Sequence, residues 1–551
     1  MCRSKLKEVY PMRKLDAAYI NGKVYTVDSE NPVAQAFGVV EDRFAVVGTN
    51  EEVLASCTPD TPVIDLQGQV VLPGLTDAHL HIFGTGQLKL ELNAVGKTKE
   101  EILALVAEAA KEAKPGEWIV GRGWINDEWV DPAFPSKEEL DAVAPSVPVY
   151  LKRGCGHGAW VNSKAFEVCG ITDETPDPVG GEFMRKPDGT LLGCLSDQAQ
   201  EPFNRAVPAY NREQTQKIAL LAQEGFFQVG VTSVHDAGSW DYWVDAWEEL
   251  YQQEKLKMRM YVSLRVVGRP SWDELYTKSM EYFKRGVRIG AYNHRLTYRA
   301  YKISGDGSLG SRSAWMLDDY CDAPGNKGCG KWTDEQLYTL LEQAHRAGFQ
   351  IWYHGIGDAA CHQALNCYER LQKEYPRQDC RHRIEHSQCL ALTDIPRYKE
   401  LGVIPTHQTV FIRTDKRVAE ARWGKERLKG AYAWRTLIDQ GNVIPNGSDS
   451  PVESYNPFLG MYCAVTRKDE NGQPAGGWYP EEAMTREEAL KSYTTWAAYG
   501  AFEEDIKGSI SSGKLADFIV IDRDYMTCPA DEIKDIQVLQ TVVGGETVYK
   551  K

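Results

Sequence analysis

Residues 69–81 read QVVLPGLTDAHLH, an apolar run and a Pro-Gly break followed by two histidines one residue apart. In an extended strand alternate side chains share a face, so His79 and His81 point the same way, which suits two imidazoles on one metal. Seven further apolar runs resemble buried parallel strands: VGVTSVHD (229–236), MRMYVSLRV (258–266), YRAYKIS (298–304), FQIWYHG (349–355), RHRIEHS (381–387), GVIPTHQ (402–408) and NVIPNGSD (442–449). With QVVLPG as the first, that makes eight runs, separated mostly by helix-length segments. Leu337, Leu340, Leu341 and Ala344 follow helical spacing, and Thr333 with Gln336, like Thr485 with Glu488, forms a capping box. Eight alternating strands and helices predict an α/β fold, a (β/α)8 TIM barrel whose active groups sit at the carboxyl ends of its strands.

Polar residues fall at those ends. His79 and His81 close the first strand, Lys302 lies in the fourth, His354 ends the fifth, His386 ends the sixth and Asp449 follows the eighth. A lone histidine at a strand end is ordinarily a hydrogen-bonded structural residue. Four histidines, a lysine and an aspartate at matching strand ends instead predict a metal site.

The two ends of the chain share a different texture. Short β-forming runs around turns fill residues 17–70, and KLADFIVID with QTVVGGETVYK repeats the pattern near the other end. Neither half has enough strands to bury a core, which predicts a small composite β-sandwich domain from residues 1–70 and 505–551. The barrel is expected over 71–504, with an insertion at about 87–223 lying over the barrel mouth.

Composition excludes several classes. The 551-residue chain carries 63 Lys and Arg against 78 Asp and Glu, a formal charge of -15, which argues against nucleic acid as a partner. Thirteen scattered cysteines without C-x-x-C spacing read as reduced thiols. No apolar run is long enough for a signal peptide or a membrane span, so a cytoplasmic protein with a small-molecule substrate and no membrane partner is expected.

The order DAHLH, strand-four Lys, His, His and GSDSP resembles the amidohydrolase superfamily of metal-dependent hydrolases. GRGWINDEW, HGAWVNS, VTSVHDAG, KISGDGSLGSRSA, HGIGDAA, RIEHSQ, GSDSPVESYNPF and GSISSGKLADFIVID narrow the resemblance to amidohydrolase family 3, the group that includes N-substituted formamide deformylase. The resemblance covers nearly the whole chain, from about Leu15 to Val548, and implies zinc dependence and a homodimer.

It also implies a carboxylated Lys302, whose carbamate oxygens bridge two zinc ions, one held by His79 and His81 and the other by His354 and His386. An unmodified Lys302 beside a single zinc ion is the other arrangement. Asp449 is the candidate general base, taking a proton as metal-bound hydroxide attacks a carbonyl and passing it to the leaving amine. Trp124 and His157 are expected to line the substrate pocket, with His235, Arg312 and His407 as further candidates for substrate contact. Asp77 and Glu385 sit beside ligand positions, where they would orient imidazoles.

The function expected is hydrolysis of an amide-type C-N bond, with N-substituted amides and formamides as the candidate substrates. Trp124, Trp129 and Trp160 suggest an apolar or aromatic substituent. A deaminase of a heterocyclic or amidine substrate is the alternative, against which Lys302 argues. A non-enzymatic scaffold of the same fold is the third reading, and no expected ligand is missing to support it. Lyase chemistry on the same fold stays open.

Overall fold

The computed structural model describes residues 14–114, 116–154, 158–178, 180–266 and 270–551. The chain divides into two compact units, one of residues 1–82 and 223–551, the other of residues 83–222.

In the first unit, parallel strands form a barrel sheet: β1 (Leu75–Leu80), β2 (Val231–Ser239), β3 (Arg259–Leu264), β4 (Leu296–Ser304), β5 (Gln350–Gly355), β6 (Arg383–His386) and β7 (Ile404–Thr406). Each pairs with the next in order. Every residue of β1, β2, β3 and β6 is buried, as expected for parallel strands covered on both faces. Both capping boxes form, at Thr333 before the helix Asp334–Arg346 and at Thr485 before Arg486–Ser492.

Two expectations change. QVVLPG is not the first barrel strand: Val70–Pro73 pairs antiparallel with Phe518–Ile521 and parallel with Lys23–Tyr25, in a sheet made from the two ends of the chain. The barrel strand starts one residue later, at Leu75. Gly74 makes the crossing: its N–H donates to Asp517 O at 2.9 Å, and a Cβ there would lie 2.4 Å from Thr232 Oγ1. In sequence the two strands merge, because both are fully buried and only a Pro-Gly break parts them.

Nor is NVIPNGSD a regular strand. Residues 445–450 nevertheless hydrogen-bond on both sides: His407 N–H donates to Pro445 O and Gly447 N–H to His407 O, while Ala78 N–H donates to Asn446 O and Asp449 N–H to His79 O. The segment thus bridges β7 and β1. Pro445 has no N–H to continue a ladder, and Asp449 adopts a left-handed backbone at φ 55°. Gly447 passes so close to β1 that a Cβ would lie 2.4 Å from the His79 nitrogen. Backbone cannot swing aside as a side chain can, so Gly447→Ala is expected to lower stability by about 3 kcal/mol. Thermal or urea unfolding checks this, and an unchanged midpoint would refute it.

A second sheet of terminal strands comprises Ala17–Ile20, Ala36–Val40, Arg43–Gly48 and Val63–Asp65. Phe518, from the other end of the chain, packs edge-on against both Tyr19 and Phe37 of this sheet. One apolar cluster therefore draws on both ends.

The 83–222 unit has its own six-stranded sheet and core. Trp124, Trp129 and Trp160 meet there with ring centroids 5.8 to 6.4 Å apart. Among the described residues no helix is long and apolar enough to cross a membrane.

Candidate metal centre

β1 supplies His79, fully buried, and His81 just beyond its end, on the same face. β5 supplies His354 and β6 ends on His386, whose φ of 73° is left-handed; a non-glycine residue in that region marks a position where the site overrides the local preference. The four rings form a chain: His81 to His79 at 5.9 Å between centroids, His79 to His386 at 4.9 Å, and His386 to His354 at 4.4 Å. Asp449 Oδ1 lies 3.5 Å from His79 Nε2 and 3.1 Å from His81 Nε2. One ligand atom each from His79, His386 and Asp449 falls within 4.8 Å of the others.

Lys302 is buried in β4, two residues before Ser304, which pairs in register with His354. Burial pulls its ammonium down to about 8, against the opposing pull of the Glu385 and Asp449 carboxylates.

A second layer sets which ring nitrogen is available to a metal. His79 Nδ1 is held tightly by Glu385, which Arg383 grips through Nε at 2.7 Å and Nη2 at 3.0 Å. His386 Nδ1–H donates to Gln408 Oε1 at 2.6 Å, and His354 Nε2–H donates to Gly307 O at 3.1 Å. These bonds leave Nε2 of His79 and His386, and Nδ1 of His354, as lone-pair donors. Asp306 stands 3.5 Å from His354 Nε2 and accepts N–H groups of Trp315, Ile356 and Gly357, tying the loops after β4 and β5 together.

Charges follow. Burial raises the Asp449 carboxyl, but the neighbouring imidazoles of His79 and His81 outweigh it and hold the group well below the usual range. Glu385 is likewise raised by burial and lowered further by Arg383 and His79. Burial keeps His354 well below the ordinary imidazole value and His386 at about 3, so both are neutral near pH 7.

His79 Nε2 is buried and makes no hydrogen bond, although it faces Asp449 Oδ1, which His81 Nε2 also approaches, at 3.5 Å. Buried polar atoms almost always have a partner. Imidazole nitrogens and a carboxylate with that need fit a divalent metal of the zinc class.

A second trio, His345, Cys380 and His382, also comes within reach of one ion. Its protons argue otherwise. Ile351 N–H donates to His382 Nδ1, so His382 Nε2–H donates to His345 Nδ1, and His345 Nε2–H donates to Tyr375 O. A metal on His382 Nε2 would require an imidazolate. This chain has a measurable consequence: burial, then His345 and Arg377, hold His382 well below its ordinary value, and burial, then Arg383, do the same to His235. The unfolded chain takes up these protons below about pH 6.5 and the folded chain does not, so stability should fall with decreasing pH by about 1.4 kcal/mol per unit per group. Urea midpoints between about pH 7.5 and about pH 5.5 test the sign.

The remaining sequence candidates are scattered. His235 is fully buried in β2, accepts from Arg383 Nη1 at 3.2 Å and packs against Tyr261 and Trp352, so it supports the Arg383–Glu385 pair from within the barrel. Trp124 is buried in the 83–222 core with its Nε1–H donated to Leu151 O. Arg312 is bound to Asp322 through two nitrogens at 3.1 and 2.8 Å on the exposed loop after β4. His407 is buried beside Asn446, with burial holding it at about 3. His157 lies outside the described residues. Asp77 accepts the backbone N–H groups of His79 and Ser448, so it orients β1 and the 445–450 segment, while Glu385 orients an imidazole. Gln408, Asp306 and Arg383 went unread in the sequence. Arg383 alone had a signal, standing two residues before Glu385 and hence on its face of the strand.

The sequence pattern of the amidohydrolase family matches residues 62–549. YtcJ of Bacillus subtilis (strain 168), which bears the amidohydrolase name, is 31% identical over 98% of this chain and 100% of its own length. N-substituted formamide deformylase of Arthrobacter pascens is 29% identical over 97% of this chain and 98% of its own. The crystal structure of an uncharacterised metal-dependent hydrolase from Pyrococcus furiosus superposes with a TM-score of 0.75 at 28% identity, covering 93% of this chain and all of that one. The chain belongs to the amidohydrolase family of metal-dependent hydrolases and is itself a hydrolase.

Proposed function

We propose that this hydrolase cleaves an amide-type C–N bond of a small molecule, with zinc held by His79, His81, His354, His386 and Asp449. The observation that carries the reading is His79 Nε2, buried without a hydrogen-bond partner and facing the Asp449 carboxylate at 3.5 Å. We further infer that Lys302 is carboxylated: an amine near 8 is unprotonated, and so open to carbon dioxide, more often at neutral pH than an ordinary lysine, and a carbamate would turn a repelling cation into an anionic bridging ligand. With the carbamate, two ions are held; without it, one.

A divalent metal bound there supplies Lewis acidity and lowers the pKa of a coordinated water toward neutrality. The chain does the rest. Asp449, kept ionised by its imidazole neighbours, accepts the proton of the attacking water at a carboxylate oxygen and returns it to the leaving nitrogen. Glu385 and Gln408 hold His79 and His386 in the tautomers that leave Nε2 for the metal.

The relative's name makes N-substituted formamides the first compounds to try. N-formyl, N-acyl and cyclic amides are offered to the zinc-loaded protein and released amine is measured; no amine from any of them overturns the reading. Chelation is expected to abolish activity and lower the melting temperature, with zinc restoring both. Activity unaffected by exhaustive chelation would remove the metal from the mechanism.

A further inference from the structure

Gln408 lies two residues past the end of β7, with φ −120° and ψ 89°, so it keeps the alternation of the strand and shares a face with Thr406. Thr406 pairs in register with Glu385, whose carboxylate reaches His79 on β1, a strand that does not neighbour β6 in the sheet. That face is therefore the barrel interior. There the Gln408 amide meets the candidate centre, its Oε1 accepting from His386 Nδ1–H at 2.6 Å.

The other half of the amide is unused. Gln408 is 4% exposed and, among the described residues, its Nε2 is buried without a hydrogen-bond partner. Turning the amide over does not cure this. A His386 that keeps Nε2 for a metal carries its proton on Nδ1, so an N–H group of Gln408 placed there would meet another donor. The oxygen must face the ring, and the N–H pair is left over. Thr406 Oγ1, on the same face, is also without a partner and does not accept from it. A buried amide N–H with no acceptor is costly, and a bound molecule bringing an oxygen would remove the cost.

Which oxygen follows from the two sides of the His386 ring. The metal chemistry uses Nε2, near His79 and Asp449, whereas Gln408 meets the ring at Nδ1. Its N–H thus serves a part of the substrate set aside from the bond under attack. Gln408 brings no charge to offset an anion, and the Asp449 and Glu385 carboxylates already stand close by, so a neutral acceptor suits the place. Half-buried Phe411, three residues on, lies nearly parallel to the His386 ring at 6.0 Å and gives this wall an aromatic face.

We propose that Gln408 Nε2–H binds the substrate by donating to an uncharged carbonyl oxygen a few bonds from the C–N bond cleaved. This rests on the C–N hydrolase reading above and adds a substrate class to it: N-formyl or N-acyl compounds bearing a second, neutral carbonyl.

The test compares N-phenacylformamide with N-phenethylformamide, which differ only in a C=O for a CH2, on the zinc-loaded enzyme. The ketone should exceed its partner in kcat/KM by about 30-fold. Gln408→Glu keeps an oxygen for His386 Nδ1–H but has no N–H, so it should hold its metal while the ratio collapses toward one. Gln408→Met, with neither group, should collapse the ratio as well and serves if the Glu variant does not fold. A wild-type ratio near one, or a ratio unchanged in the variants, overturns the assignment. A ratio lost only in preparations that have also lost metal makes Gln408 a support for His386 alone and overturns it too. If neither this pair nor the wider set of amides releases amine, the C–N reading fails, and calorimetry with the same two compounds decides Gln408 separately. Tighter binding of the ketone by the wild type alone upholds it; equal binding, or none, overturns it.

Discussion

Asn in place of Asp449 is expected to lower kcat/KM by about 1,000-fold while most of the metal stays bound. The substitution is chosen for its backbone as much as its side chain. Position 449 is left-handed at φ 55°, a conformation Asn tolerates better than other non-glycine residues, so the 2.6 Å bond from its N–H to His79 O should survive. An amide oxygen can still sit beside His79 and His81, but it cannot take up a proton near neutral pH. Steady-state kinetics and metal analysis on the same preparation give the answer. A variant retaining the wild-type rate would remove Asp449 from proton transfer, and one losing all its metal would make it chiefly a ligand.

Lys302→Ala should be as damaging by a different route. If the carbamate forms, carbon dioxide adds to the amine with loss of a proton, and removing the side chain deletes a bridging ligand. Metal content is then expected to fall from two ions per chain to one, and activity by about 1,000-fold or more. At pH 7 a lysine near 8 leaves about a tenth of its amine unprotonated, enough for the addition to proceed. Intact mass under native conditions checks the modification directly. A mass without the added carbon dioxide, with one zinc ion in wild type and variant alike, would leave Lys302 a plain buried lysine.

How far the sequence could be read depends on the periodicity of each segment. Six of the barrel strands show as apolar runs because parallel strands buried on both faces read almost continuously hydrophobic. β1 failed the same test for the opposite reason: Val70–Pro73 and Leu75–Leu80 are both fully buried, and no polar spacer divides two sheets that share one stretch of chain. The 445–450 segment was mistaken for a strand because the residues that spoil its ladder, Pro445 and the left-handed Asp449, matter through geometry, which composition does not carry.

The candidate ligands were legible because metal chemistry uses few residue types and a barrel places them at strand ends. Their supports were not. Gln408 and Asp306 reach His386 and His354 from other loops, and nothing near them in sequence announces the contact. Trp124 was expected to line the substrate pocket because tryptophans suit a binding wall and a core equally well; here it lies in the core of the 83–222 unit with Trp160, and Trp129 packs against them.

The crossing at Gly74 bears on how the candidate site is held in place. Val71, three residues before it, takes Val520 as its antiparallel neighbour, so the strand leading into His79 and His81 is anchored by a segment far along the chain. Removing Phe518–Ile521 is therefore expected to loosen the strand that carries the histidine pair and to weaken metal binding at the candidate site.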